Sequence, residues 1–144
     1  MKRFFLTLTV IATVGLVGFA SIIAYVDPFF HYHKPIEGFP YVVDDQVDMN
    51  PGLARNMDYD GVLLGSSMTV NFTASSFERD MGLKLQKLSY NGAYPRDQYN
   101  IMEQVFEYHP SVKRVFLGID ELNYSADVNE TKYPVTDYLY DNNP

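Results

Sequence analysis

The chain opens on a polar pair, Lys2-Arg3, and then runs from Phe4 to Val26 without a charged residue. About 20 apolar residues in helical form cross a bilayer. The pattern therefore predicts a membrane-crossing helix that stops at Asp27-Pro28. Lys2 and Arg3 keep the N-terminus in the cytoplasm under the positive-inside rule, so everything after Asp27 falls outside. A cleaved signal peptide is the rival reading, and Gly18-Phe19-Ala20 offers a small-residue cleavage site. Ile22 and Ile23 continue the apolar run past that site, which favours an uncleaved single-pass anchor.

Residues 27–58 show no clear period. Pro28, Pro35, Pro40 and Pro51 predict an irregular segment. Phe29, Phe30, Tyr32 and Tyr41 suggest an aromatic belt at the membrane surface. Asp44-Asp45-Gln46-Val47-Asp48 reads as a solvated acidic loop, because it lacks the glycine and terminal glutamate of a calcium-binding EF-hand loop.

From Asp60 the pattern changes. Val62, Leu63 and Leu64 form an apolar run without alternation, as in a strand buried on both faces of a parallel sheet. Gly65 permits a tight turn at its end, and Ser66-Ser67 follow. Thr73 or Ser75 can cap a short helix that ends near Gly82, with Ser75 and Glu78 at capping-box spacing. Residues 84–90 read as a second strand, and Asn91-Gly92-Ala93-Tyr94-Pro95 as a turn. Gln98 to His109 is helical, with Ile101, Met102, Val105 and Phe106 on one face; Pro110 ends it. Val112 to Ile119 is a third strand around Val115, Phe116 and Leu117. Strands alternating with helices predict an α/β fold built from parallel βαβ units. Three strand ends, at Gly65-Ser66-Ser67, Asn91-Gly92 and Gly118-Ile119-Asp120-Glu121, then converge on the edge where open α/β sheets bind ligands.

Composition sharpens this picture in a few respects. There is no cysteine, so disulfides and thiolate metal sites are excluded. The formal charge is −7, and all 18 acidic residues follow the apolar run. An acidic external part without basic clusters argues against nucleic acid as a partner and against electrostatic attraction to an anionic polymer. His31 and His33 form an isolated pair without further nearby ligands, so no metal is assigned. No glycine-rich phosphate loop is present, and no cofactor is implied. The segment after Asn123 is acidic and rich in tyrosine (Tyr124, Tyr133, Tyr138, Tyr140), with little regular pattern.

Leu63-Leu64-Gly65-Ser66-Ser67-Met68-Thr69, Asn91-Gly92-Ala93 and Gly118-Ile119-Asp120-Glu121 together resemble the nucleophile, second and third blocks of the SGNH/GDSL hydrolase superfamily. The layout is similar to its membrane-anchored Gram-positive members, including the D-alanyl-lipoteichoic acid biosynthesis family. The resemblance covers residues 60–121. It implies an incomplete three-layer, flavodoxin-like sheet after the transmembrane helix. The chain then divides into an anchor at 1–26, a juxtamembrane segment at 27–58 and a partial SGNH-like domain at 59–144. It also implies a membrane-anchored acyl esterase or acyltransferase acting outside the cell on an envelope polysaccharide or teichoic acid. Ser67 would be the nucleophile. The amides of Ser67 and Gly92 would form the oxyanion hole, with Asn91 as a further donor.

The sequence departs from the family at three points. Ser66 stands where the first block usually has aspartate. Asp120 stands where the third block has an oxyanion-hole asparagine, and an ionised carboxylate cannot donate a hydrogen bond. The Asp-x-x-His that supplies the general base is not found; His31, His33 and His109 lie outside that pattern. These departures lead to the expectation that the sequence is an inactive piece of a longer enzyme whose histidine lies beyond Pro144. The alternative is a non-catalytic envelope scaffold with a degenerate site.

Overall fold

The computed structural model describes residues 1–121, 123–125 and 127–132; the expectations for Tyr133, Tyr138 and Tyr140 lie outside the described residues. Helix α1, Lys2–Val26, is followed by α2 at Gln46–Asn56 and strand β1 at Gly61–Leu64. A single turn, α3, covers Ser67–Val70, and α4 covers Ala74–Met81. Strand β2 (Leu85–Lys87), helix α5 (Pro95–Tyr108) and strand β3 (Arg114–Leu117) complete the unit, with a 3-10 turn at Asn123–Ser125.

The three strands form one parallel sheet in the order β2-β1-β3. β1 is central, and all four of its residues are buried, as its unalternating apolar run requires. Val62 and Leu64 face α2 and α5, in a core with Ala54, Tyr59, Leu88, Ile101, Val105 and Val112. On the opposite face, Phe116, the register partner of Leu63, meets Phe77 of α4 with ring centroids 5.0 Å apart. The fold is thus mixed α/β. α5 begins earlier than the periodicity indicates, because Pro95 occupies its first turn, where a missing N–H costs nothing. α4 ends at Gly82 in the left-handed conformation (φ +62°).

α1 is the one helix among the described residues long and apolar enough to cross a membrane, and none of its residues is buried against protein. Its 25 residues span about 37 Å at 1.5 Å each.

The segment between α1 and β1 differs from the irregular stretch predicted. Residues 46–56 form α2, with Pro51 inside it and buried. Asp45, read in the sequence as loop, caps α2 by accepting from the Asp48 amide at 3.3 Å. The buried face of α2 consists of Asn50, Pro51, Gly52 and Ala54. Asn50 donates through Nδ2 to the carbonyls of Leu88 (2.9 Å) and Ser89 (3.4 Å), tying the helix to the end of β2.

α2 also receives the chain leaving α1. The Asp27 carboxylate is buried and accepts from the amides of His31, Tyr32 and His33 at 2.7–3.0 Å. His31 Nε2 meets the Asp48 carbonyl at 2.7 Å, and Asn56 Nδ2 donates to the Phe30 carbonyl at 2.7 Å. The His33 ring has Nδ1 2.7 Å from the Lys34 carbonyl and Nε2 3.0 Å from the Tyr25 carbonyl. A neutral imidazole has only one N–H, so two carbonyl partners favour the protonated ring. His33 is accordingly raised above its ordinary 6.5, first by the Lys34 carbonyl.

Candidate functional site

The three strands end at one edge, and backbone hydrogen bonds carry their alignment past the strands themselves. The Leu88 amide donates to the Leu63 carbonyl (2.9 Å), Tyr90 to Gly65 (3.3 Å) and Gly118 to Leu64 (2.9 Å). The parallel arrangement thereby brings the Ser66-Ser67, Asn91-Gly92 and Asp120 segments to the same edge.

At the end of β1, Gly65 turns the chain with φ +147°. The two serines that follow have opposite environments. Ser66 is buried and caps α3, its Oγ accepting from the Met68 amide at 3.4 Å. Ser67 is the first residue of α3 and is exposed. Thr69 is buried between two glycines: a Cβ on Gly65 would lie 2.4 Å from Thr69 Oγ1, and one on Gly118 would lie 1.9 Å from Thr69 Cγ2. Thr69 Oγ1 donates to the Ser66 carbonyl at 2.7 Å. Close packing of β1, α3 and β3 therefore fixes the turn that presents Ser67.

Asp120 completes that turn. Its carboxylate accepts from Ser66 Oγ, from the Asn123 amide at 3.0 Å and from Asn123 Nδ2 at 2.8 Å. The Ser66 hydroxyl, followed by the Asn123 amide, holds the Asp120 carboxyl below its ordinary 3.8. Ionised and acceptor-only, Asp120 cannot serve as an oxyanion donor; it clamps the α3 cap to the end of β3. Because the folded-state value is depressed, this contribution to stability is present above pH 3.8 and lost as pH falls through the lowered value. The stability gap between wild type and Asp120→Ala, followed by circular dichroism, is therefore expected to be constant around neutrality and to shrink in acid. A gap unchanged at low pH would contradict the clamp.

At the end of β2, the exposed Asn91 has its amide on Gln46 Oε1 at 3.3 Å. Gly92 turns with φ +73°. Lys132 lies across it, with Cε 3.1 Å from where a Gly92 Cβ would be. The buried Asp97 organises this corner, Oδ2 accepting from the amides of Tyr94 (2.8 Å) and Lys132 (2.9 Å). The Lys132 ammonium sits 5.5 Å from the Tyr94 ring centroid. Beside Asn91, a cleft of about 470 Å³ opens against the start of α2, walled by Asp44, Asp45 and Asp48.

The structure thus joins Ser66 to Asp120 directly and sets Ser67 outward on the same turn, while Asn91 and Gly92 are engaged by Gln46 and Lys132. The roles of Ser66, Thr69, Asp97 and Asn123 were not read from sequence. Asp97 carried a signal as an acidic residue in the first helical turn opened by Pro95. His109 is remote from this edge, at the C-terminal end of α5, with Nε2 3.1 Å from the Arg55 carbonyl and its ring 4.6 Å from that of Tyr59. Among the described residues no cluster of three or more His, Asp or Glu side chains is arranged to hold a metal. No known protein family, curated protein or solved structure matches the chain.

Proposed function

We propose that the chain is a membrane-anchored, SGNH-like protein of the cell envelope whose chemistry is acyl transfer or acyl-ester hydrolysis at Ser67. The supporting observation is the exposure of Ser67 on a tightly packed turn at the convergent edge of a parallel sheet, next to a serine fully used in holding that turn. On this reading the sheet is part of a three-layer flavodoxin-like domain that lies outside the cell, with α1 as its single-pass anchor. Ser67 Oγ attacks the acyl carbonyl and forms an acyl-enzyme. Water or a sugar hydroxyl then accepts the acyl group, which separates esterase from transferase. The amides of Ser67 and Gly92 serve the oxyanion, with no contribution from Asp120.

A serine hydroxyl needs a base to become nucleophilic. The rings of His31, His33 and His109 all rest on backbone carbonyls. Among the described residues no histidine is hydrogen-bonded to Ser67, so the reading leaves its base unassigned. The acidic wall beside Asn91 favours an uncharged polysaccharide over a phosphate-rich polymer such as teichoic acid.

A second reading, a non-catalytic scaffold, is supported by Asp120: at the position that the resemblance assigns to an oxyanion donor, its carboxylate only accepts, from Ser66 and Asn123. Fluorophosphonate labelling of the protein expressed from its entire reading frame separates the two. The enzyme reading expects a covalent adduct on Ser67 that Ser67→Ala abolishes while its circular dichroism is unchanged. A folded protein that takes no label at Ser67 would establish the scaffold instead.

A further inference from the structure

The aromatic residues that the sequence offers as a membrane-surface belt do not all face outward. Phe30 is only 4% exposed, and its ring packs against Tyr41 at a centroid distance of 4.9 Å. Tyr32 is 75% exposed, and further exposed apolar residues lie beyond it. Phe39 is 43% exposed and Val42 is 94% exposed, on a loop that turns at Gly38 with φ +77°.

That loop is tied to the end of α1. Tyr41 Oη donates to the carbonyl of Val26, the last residue of α1, at 2.9 Å and accepts from the Ile36 amide at 3.1 Å. The Phe39 ring stacks edge-on against Tyr41 with centroids 4.9 Å apart. The loop therefore sits at the level of the α1 terminus. A helix of about 37 Å exceeds the hydrocarbon core of about 30 Å, so that terminus reaches the headgroup zone. Aromatic side chains prefer this zone.

We propose that residues 38–43 form a second membrane contact, with Phe39 and Val42 seated in the interface of the same bilayer that α1 crosses. The surface suits zwitterionic lipid. Glu37 and Asp44 flank it as exposed carboxylates, and the neighbouring cation Lys34 is paired with Asp58. With α1 fixing position and this loop fixing a second point, the α/β unit is held at a set tilt over the membrane. The proposal rests on α1 spanning a bilayer.

The chain has no tryptophan, so single-tryptophan variants report without background. Leu16→Trp, Val42→Trp and Val128→Trp, each at an exposed position, are reconstituted as full chains in phosphatidylcholine vesicles. Expected results are quenching of Leu16→Trp by lipids carrying a quencher deep in the acyl chain, and quenching of Val42→Trp by lipids carrying it near the headgroup. Val42→Trp should also emit to the blue of Val128→Trp and be several-fold less accessible to aqueous iodide. If Leu16→Trp is lipid-quenched but Val42→Trp behaves like Val128→Trp, the loop contact is wrong and the anchor stands. If iodide reaches Leu16→Trp freely, the membrane reading of α1 falls and the loop contact falls with it.

Discussion

Gly52→Ala is expected to destabilise the α/β unit by about 3 kcal/mol and to lower its melting temperature by about 10–20 °C. A Cβ at this position would lie 2.2 Å from the Phe29 carbonyl oxygen and 2.6 Å from that of Phe30. Those are backbone atoms, so no side-chain rotation can relieve the overlap. Relief requires α2 to withdraw from the segment leaving α1. Withdrawal stretches the Asn56–Phe30 and His31–Asp48 hydrogen bonds, each worth about 1 kcal/mol net. Phe30 itself holds φ +60°, a conformation unfavourable for a bulky residue, and depends on the same contacts. Gly15→Ala is the control, since nothing lies within 4 Å of its added methyl. Thermal melts in detergent micelles check both. A Gly52→Ala protein that melts with the wild type would show that α2 does not pack on the Phe29-Phe30 backbone as described.

The same contact explains why α2 escaped the sequence reading. Hydrophobic periodicity finds helices whose buried stripe is apolar. α2 buries an asparagine, a proline, a glycine and an alanine, because the surface it packs on is partly backbone. Close backbone approach selects small residues, and Asn50 is buried because it satisfies the carbonyls of Leu88 and Ser89. Pro51 then reads as a breaker, although only one intrahelical hydrogen bond depends on its missing N–H. The local signal present was Asp45, a capping residue, with Asp48 in the first turn. By contrast β1 and α5 were legible, since Val62, Leu64, Ile101 and Val105 bury ordinary apolar surface.

At the candidate site, the sequence located the edge but did not resolve the division of labour on it. Ser66 and Ser67 are chemically identical in sequence. They separate only when β1 ends and α3 starts, which turns Ser66 inward as the cap and Ser67 outward. Asp120 was expected to be a defective oxyanion donor. Its three hydrogen bonds give it a different task, one that requires a negative acceptor. That task depends on Asn123, three residues on, whose contribution is a local turn with no hydrophobic signature.

The packing behind Ser67 can be tested by a rescue. Gly118→Ala places its methyl 1.9 Å from Thr69 Cγ2, so β3 must move away from α3 or Thr69 must leave its buried position. Overpacking of this kind costs about 1–3 kcal/mol. Thr69→Ser removes the clashing Cγ2 and keeps the hydroxyl that donates to the Ser66 carbonyl. Alone, Thr69→Ser is expected to cost about 1 kcal/mol for the lost buried methyl. Combined with Gly118→Ala, whose new methyl fills the vacated space, it should cost less than the sum by at least about 1 kcal/mol. Denaturant titrations of the four proteins measure this coupling. Additive costs would mean that Thr69 does not sit against Gly118, and the close packing that holds the Ser67 turn between β1 and β3 would have to be abandoned.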